Sequence, residues 1–113
     1  IQRGSTALTE PGQPPPRLKQ VYRILYPNGK IYVGLDLTGT FTYMGSPSAW
    51  RTISEDMTDE QRREFTVQKS ILWESWDATD SEARAMEIQL IVETRANDPA
   101  VGYNIRPRFR DGR

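Results

Sequence analysis

The stretch QVYRILYPNGKIYVG, Gln20 to Gly34, decides how this chain is read. Two β-rich runs, Val21–Tyr26 and Lys30–Leu35, flank the tetrapeptide Tyr26-Pro27-Asn28-Gly29. Proline fixes one φ near about −65°, and an Asn-Gly pair supplies the positive φ values that a two-residue hairpin turn requires. An antiparallel hairpin is therefore expected. Side chains alternate faces along a strand, which puts Val21, Arg23 and Leu25 on one side and Tyr22, Ile24 and Tyr26 on the other. On the second strand Lys30, Tyr32 and Gly34 share a side, so the turn can bring Tyr22 and Tyr32 to one face with Lys30 nearby. Spacing alone leaves both tyrosines open to a plain packing role, since aromatic rings suit a half-buried pleat.

Before the hairpin, Ile1–Leu18 contains Pro11-Gly12-Gln13-Pro14-Pro15-Pro16 and reads as a flexible, proline-rich tail. After it, the turn-rich segment Asp36–Thr42 ends at Tyr43-Met44-Gly45-Ser46. Ser46 as N-cap and Pro47 at the first helical position predict a short helix from Pro47 to about Ser54. That helix would turn Trp50 and Ile53 to the core and carry Arg51 in its middle. Thr58-Asp59-Glu60-Gln61 is a capping box opening a polar turn through Arg62 and Arg63. Alternation from Thr66 to Trp73 predicts a third strand, with Phe65, Val67, Lys69 and Ile71 set against Thr66, Gln68, Ser70 and Leu72. A second capping box, Thr79-Asp80-Ser81-Glu82, opens the strongest helix, Ala83 to about Arg95. Asn97-Asp98-Pro99 breaks the chain before a short closing segment, Val101–Ile105. The end is basic: Arg106, Arg108, Arg110 and Arg113 surround Phe109, which suits phosphate contact with stacking or simply a soluble terminus.

With 113 residues and 36% hydrophobic content, one small domain with a modest core is expected, bounded at residues 19–106, with residues 107–113 as a basic tail. The fold class is α+β, a small three-stranded antiparallel sheet flanked by helices. There is no cysteine, which excludes disulfides and thiolate metal sites, and no histidine, so a catalytic base must be tyrosine, lysine or a carboxylate. Fifteen basic and fifteen acidic residues cancel, yet a local basic patch is what phosphate contact needs. No apolar run is long enough to span a bilayer and no secretory segment is seen, so a cytoplasmic location is expected. The chain opens on isoleucine rather than methionine, so a processed or trimmed chain, or one cut from a longer protein, is the expectation.

On the strongest helix Ala83, Met86, Leu90 and Ile91 form one stripe at helical spacing. Glu87 lies four residues after Ala83 and four before Ile91, within or beside that stripe. A carboxylate facing the body of a domain is costly unless a cation or hydrogen bonds satisfy it. Glu87 therefore either reaches out to solvent, pairs with Arg84 or Arg51, or holds a metal.

Gln20-Val21-Tyr22, with Tyr32-Val33-Gly34 following at a ten-residue offset, resembles the two-part signature of the GIY-YIG nuclease superfamily. Tyr43-Met44-Gly45-Ser46, the helix with Glu87, and Gly102-Tyr103-Asn104-Ile105 fall in that family's order, so the likeness covers roughly three quarters of the chain. Gln20 stands where the family has glycine, and Val33 where it has isoleucine. The resemblance implies metal-dependent endonucleolytic hydrolysis of DNA, with DNA as partner and Mg²⁺ or Mn²⁺ as cofactor. It implies Tyr22 as the base toward water, Tyr32 as its partner in positioning, Glu87 as the metal ligand and Asn104 as the late asparagine. Lys30, within ~6 Å of a phenol, would favour the phenolate, whose unperturbed pKa is about 10. The family's usual arginine position is Thr42 here. Members with a long insertion at YMGS bring a basic residue from the next helix, which points to Arg51, with Arg62, Arg63 and Arg23 as fallbacks. Gly34, Ser46, Arg106 and Arg108 complete the expected nucleic-acid contacts.

Three other readings stand beside this one. The chain could be a degenerate module of the same kind that binds nucleic acid without cutting, a nuclease acting on RNA, or a protein-binding domain whose tyrosines are structural. Cutting both strands with one site per chain would call for a homo-oligomer or sequential nicks.

Overall fold

The computed structural model describes residues 17–45 and 47–110. Most of the proline-rich tail lies outside these described residues, as do residues 111–113 and Ser46 with its expected cap and nucleic-acid contact. Over the described residues the architecture is α+β: a three-stranded antiparallel sheet of order β2-β1-β3, with three helices. Its elements run β1 (Lys19–Leu25), β2 (Ile31–Asp36), α1 (Trp50–Glu55), α2 (Asp59–Arg63), β3 (Gln68–Ser75) and α3 (Asp80–Thr94). No described helix is long and apolar enough to cross a membrane.

The hairpin forms, with Tyr22 opposite Gly34 and Ile24 opposite Tyr32. Its turn differs from the expected two-residue form. The Gly29 N–H donates to the Tyr26 carbonyl and the Tyr26 N–H to the Lys30 carbonyl, both at 2.9 Å, and among these residues only Gly29 has a positive φ, 89°. This is a three-residue loop closed by a left-handed glycine. Asn28 works through its side chain instead, accepting the Lys30 N–H and donating to the Tyr103 hydroxyl at 2.8 Å.

Alternation divides the core between the two faces of the sheet. Tyr22, Ile24 and Tyr26 pack with Ile53, Met57 and Tyr103. Val21, Ile31 and Val33 pack on the other face with Ile91 and Ala96, flanked by Met86 and Leu90 of α3. The expected α3 stripe is thus the inward one.

Element ends moved where pairing or packing decides them. β3 runs from Gln68 to Ser75 rather than from Thr66 to Trp73, because it follows β1: Leu25 meets Gln68 and Lys19 meets Ser75. Leu72 is the extra residue of a bulge opposite Val21/Tyr22. α1 begins at Trp50, not Pro47, and its N-cap Ala49 supplies no side-chain cap. The inward set is then Ala49, Ile53 and Met57 at four-residue spacing, which leaves Trp50 50% exposed instead of in the core. Both capping boxes form, at Thr58/Gln61 and Thr79/Glu82. The closing segment docks on the open edge of β2: Ile31 donates to the Val101 carbonyl and Tyr103 donates back to Ile31.

Candidate active site

β1 and β2 deliver the two tyrosines side by side. Tyr22 is 1% exposed, and its ring lies 6.5 Å from that of Tyr32, tilted by 52°. Gly34 makes this possible, since a Cβ there would collide with the Tyr22 hydroxyl and ring. Gly34 is buried beneath Tyr22 rather than open to a nucleic-acid strand. Tyr43 meets Tyr22 edge-on at 5.9 Å, making a third ring of the group.

The segment that brings Tyr43 is held from both sides by opposite charges. Asp36, 3% exposed, accepts the N–H groups of Thr38 and Thr40. Lys69 donates to the carbonyls of Thr40, Phe41 and Tyr43 at 3.4, 3.0 and 2.7 Å. Its ammonium also lies 5.0 Å from the Tyr22 ring centre. A lysine within the otherwise apolar set Phe65, Val67 and Ile71 was the sequence sign of this inward charge. Burial lowers the Lys69 pKa, with Asp36 opposing the shift.

Lys30 is occupied elsewhere. Its ammonium pairs with Asp56 at 3.0 Å and sits over the Tyr103 ring, so the cation over Tyr22 is Lys69 rather than the expected Lys30. Hydrogen bonds from Lys30 and the Tyr103 hydroxyl hold Asp56 below the usual carboxylate range. The expected lowering of the catalytic phenol is reversed in the protein alone. Burial pushes Tyr22 well up, helped by Tyr32, Tyr43, Asp36 and Glu87, and burial followed by Glu87 raises Tyr32.

Glu87 stands half-buried on α3 beside this group. A cleft of about 470 Å³ is lined by Tyr22, Tyr32, Asp36, Tyr43, Arg84 and Glu87. A second, of about 530 Å³, is lined by Tyr32 and Glu87 together with Ser48, Asn104 and Arg106. Burial raises the Glu87 carboxyl, and Arg84 only partly offsets this. Among the described residues the Glu87 carboxylate has no hydrogen bond or ion pair, so neither Arg84 nor Arg51 closes on it. Arg84 was legible as a cleft residue from its three-residue spacing to Glu87, which puts both on one helix face.

The remaining expected residues are dispersed. Arg51 is exposed on α1 and lines neither cleft. Arg62 is tied to Asp59 and the Ser54 carbonyl, and Arg63 is exposed on α2. Arg23 points to the sheet face opposite Tyr22 and donates to Ser70. Asn104 faces the second cleft while its side chain bonds the backbone of Val33. Arg108 belongs to a separate hollow with Lys30 and Asp56. The basic tail is anchored as far as described: Asn97 donates to the Pro107 carbonyl, and Arg95 covers the Phe109 ring that stacking would need. Comparison with family models, with curated proteins and with solved structures finds no match for this chain.

Proposed function

We propose that the protein is a metal-dependent endonuclease of GIY-YIG type that hydrolyses phosphodiester bonds in DNA. The observation that carries this reading is the single cleft holding two strand tyrosines, an unpaired half-buried carboxylate and an arginine. No group of three or more acidic or histidine ligands is present among the described residues. One carboxylate nevertheless fits Mg²⁺ or Mn²⁺, because a hard cation of this kind keeps most of its waters and takes few protein ligands. Glu87 is the residue to hold it, since among the described residues it has no hydrogen bond or ion pair and Asp36 is committed to backbone N–H groups. Bound there, the cation would supply Lewis-acid polarisation of the scissile phosphate and positive charge favouring a phenolate.

The chain's own residues supply the rest. Tyr22 and Tyr32 wall the cleft and orient the attacking water by hydrogen bonding. At neutral pH the Tyr22 phenol is protonated in the free protein, so it acts as base only once positive charge enters the cleft. Asn104 holds the strand that carries Tyr32. Nicking of supercoiled plasmid, with and without Mg²⁺, tests this: nicks that require the metal and vanish in Glu87→Gln support it, and metal-independent or absent nicking overturns it. Duplex RNA in the same assay separates an RNA-directed enzyme. A second reading, binding without hydrolysis, draws on the raised Tyr22 phenol and on Arg51 lying outside the cleft. It requires DNA affinity with no nicks in any divalent metal.

A further inference from the structure

Each cleft carries one arginine, and Glu87 and Tyr32 form the ridge between them. On the Tyr22 side the arginine is Arg84, and on the Asn104 side it is Arg106. Both are exposed, and among the described residues neither guanidinium has an ion pair or hydrogen bond. A guanidinium offers a planar fork of donors matched to two phosphate oxygens. Arg84 also shares a helix face with Glu87, so a phosphate reaching Glu87 from the tyrosine side enters its range. We propose that Arg84 contacts the phosphate that is cut and Arg106 a neighbouring phosphate, so that the strand runs across the Glu87–Tyr32 ridge from one cleft to the other. This rests on the nuclease reading above, and it assigns the transition-state arginine to α3 rather than to α1.

The test compares wild type, Arg84→Ala, Arg84→Lys, Arg106→Ala and Arg51→Ala. Plasmid cleavage gives kcat and KM, and fluorescence anisotropy on a DNA duplex without metal gives the salt dependence of binding. Arg84→Ala should lower kcat about 100-fold, as loss of a single transition-state donor does. Arg84→Lys should recover part of it, because the charge returns without the fork. Arg106→Ala should raise KM with little change in kcat, and Arg84→Ala and Arg106→Ala should each reduce the salt slope by about one, while Arg51→Ala should leave it unchanged. A wild-type rate in Arg84→Ala, or a larger kcat loss in Arg51→Ala, overturns the assignment. If wild type cuts nothing, the hydrolysis reading falls while the salt slopes still decide whether Arg84 and Arg106 touch phosphate. Unchanged slopes in both variants overturn the strand path.

Discussion

Asn104 and Val33 exchange two hydrogen bonds: the Asn104 amide donates to the Val33 carbonyl and the Val33 N–H donates to Asn104 Oδ1, both at 2.8 Å. β2 is an edge strand, so without Asn104 the Val33 N–H and carbonyl would lack this partner beside the cleft. Only an amide presents a donor and an acceptor side by side. Asn104→Asp keeps the acceptor but sets a second oxygen against the Val33 carbonyl. Asn104→Ala and Asn104→Asp should each cost about 1–3 kcal/mol of stability. Urea denaturation checks this, and a wild-type midpoint in both would remove the edge-closing role.

Glu87→Gln should separate function from stability. The raised carboxyl means that the folded protein binds the Glu87 proton more tightly than the unfolded chain does. That contribution to stability is present below the ordinary carboxylate pKa of about 4.3 and is lost as pH rises through the folded value. Wherever the carboxyl is ionised, the wild type carries a half-buried charge that glutamine does not. The variant should melt at a higher temperature than wild type in the absence of metal and lose metal-dependent cleavage. Added Mg²⁺ should raise the wild-type midpoint and leave the variant's unmoved. A lower melting temperature with retained cleavage would contradict both expectations.

The phenols give a prediction at the alkaline end. Burial raises Tyr22 and Tyr32, and pushes Tyr26 up to about 12. Because the folded values lie above the unfolded value of about 10, the stability they contribute is complete below that pH and declines as pH rises toward the folded values. Ultraviolet titration should show these three phenols ionising at a pH above that of free tyrosine. Ionisation of all five tyrosines near pH 10 in a folded protein would refute the raised phenols.

How legible this was depends on range. The hairpin, both capping boxes and the α3 stripe are local patterns and stand where their residues place them. The start of α1 was misplaced because Ala49, Ile53 and Met57 pack on the tyrosine face and set its rotation, which no cap residue encodes. The ends of β3 follow β1, a partner far away in sequence. Strand alternation and helix spacing carry the placement of Tyr22, Tyr32 and Glu87 on one side of the domain, while their expected roles came from the resemblance. Lys69 and Lys30 were exchanged because which ammonium covers Tyr22 depends on a loop wrapping β3 and on Asp56 drawing Lys30 away.

Gly34→Ala should be costly although only a methyl group is added. The new Cβ would overlap the Tyr22 hydroxyl and ring, and Tyr22 is enclosed among core residues. Overpacking of this kind costs about 1–3 kcal/mol. Gly29→Ala, with φ at 89° but nothing within 4 Å of the added atom, carries backbone strain without a clash. Cleavage should therefore fall more in Gly34→Ala than in Gly29→Ala when both are assayed well below their melting temperatures. Equal cleavage in the two would show that the placing of Tyr22 does not matter to the site.

Lys69→Met tests whether the clip on residues 40–43 serves the site. The substitution keeps an unbranched apolar stem and removes the three donors that reach the carbonyls of Thr40, Phe41 and Tyr43. Asp36 still holds the N–H groups of Thr38 and Thr40, so the near end of the segment stays attached while its far end is released. Burial disfavours the Lys69 charge, so methionine also relieves a desolvation cost and the net change in melting temperature should be small. The local effect should be larger: the Tyr43 amide, bonded to the Thr40 carbonyl, should exchange hydrogen faster while amides of β1 keep their protection. Tyr43 would then leave the edge of Tyr22, and kcat should drop with little change in KM. Lys69→Arg should not restore the clip, because a planar fork does not direct donors to three carbonyls as a rotatable ammonium does. Unchanged exchange at Tyr43 in Lys69→Met would show that the segment holds itself in place and that Lys69 is no more than a neighbour of Tyr22.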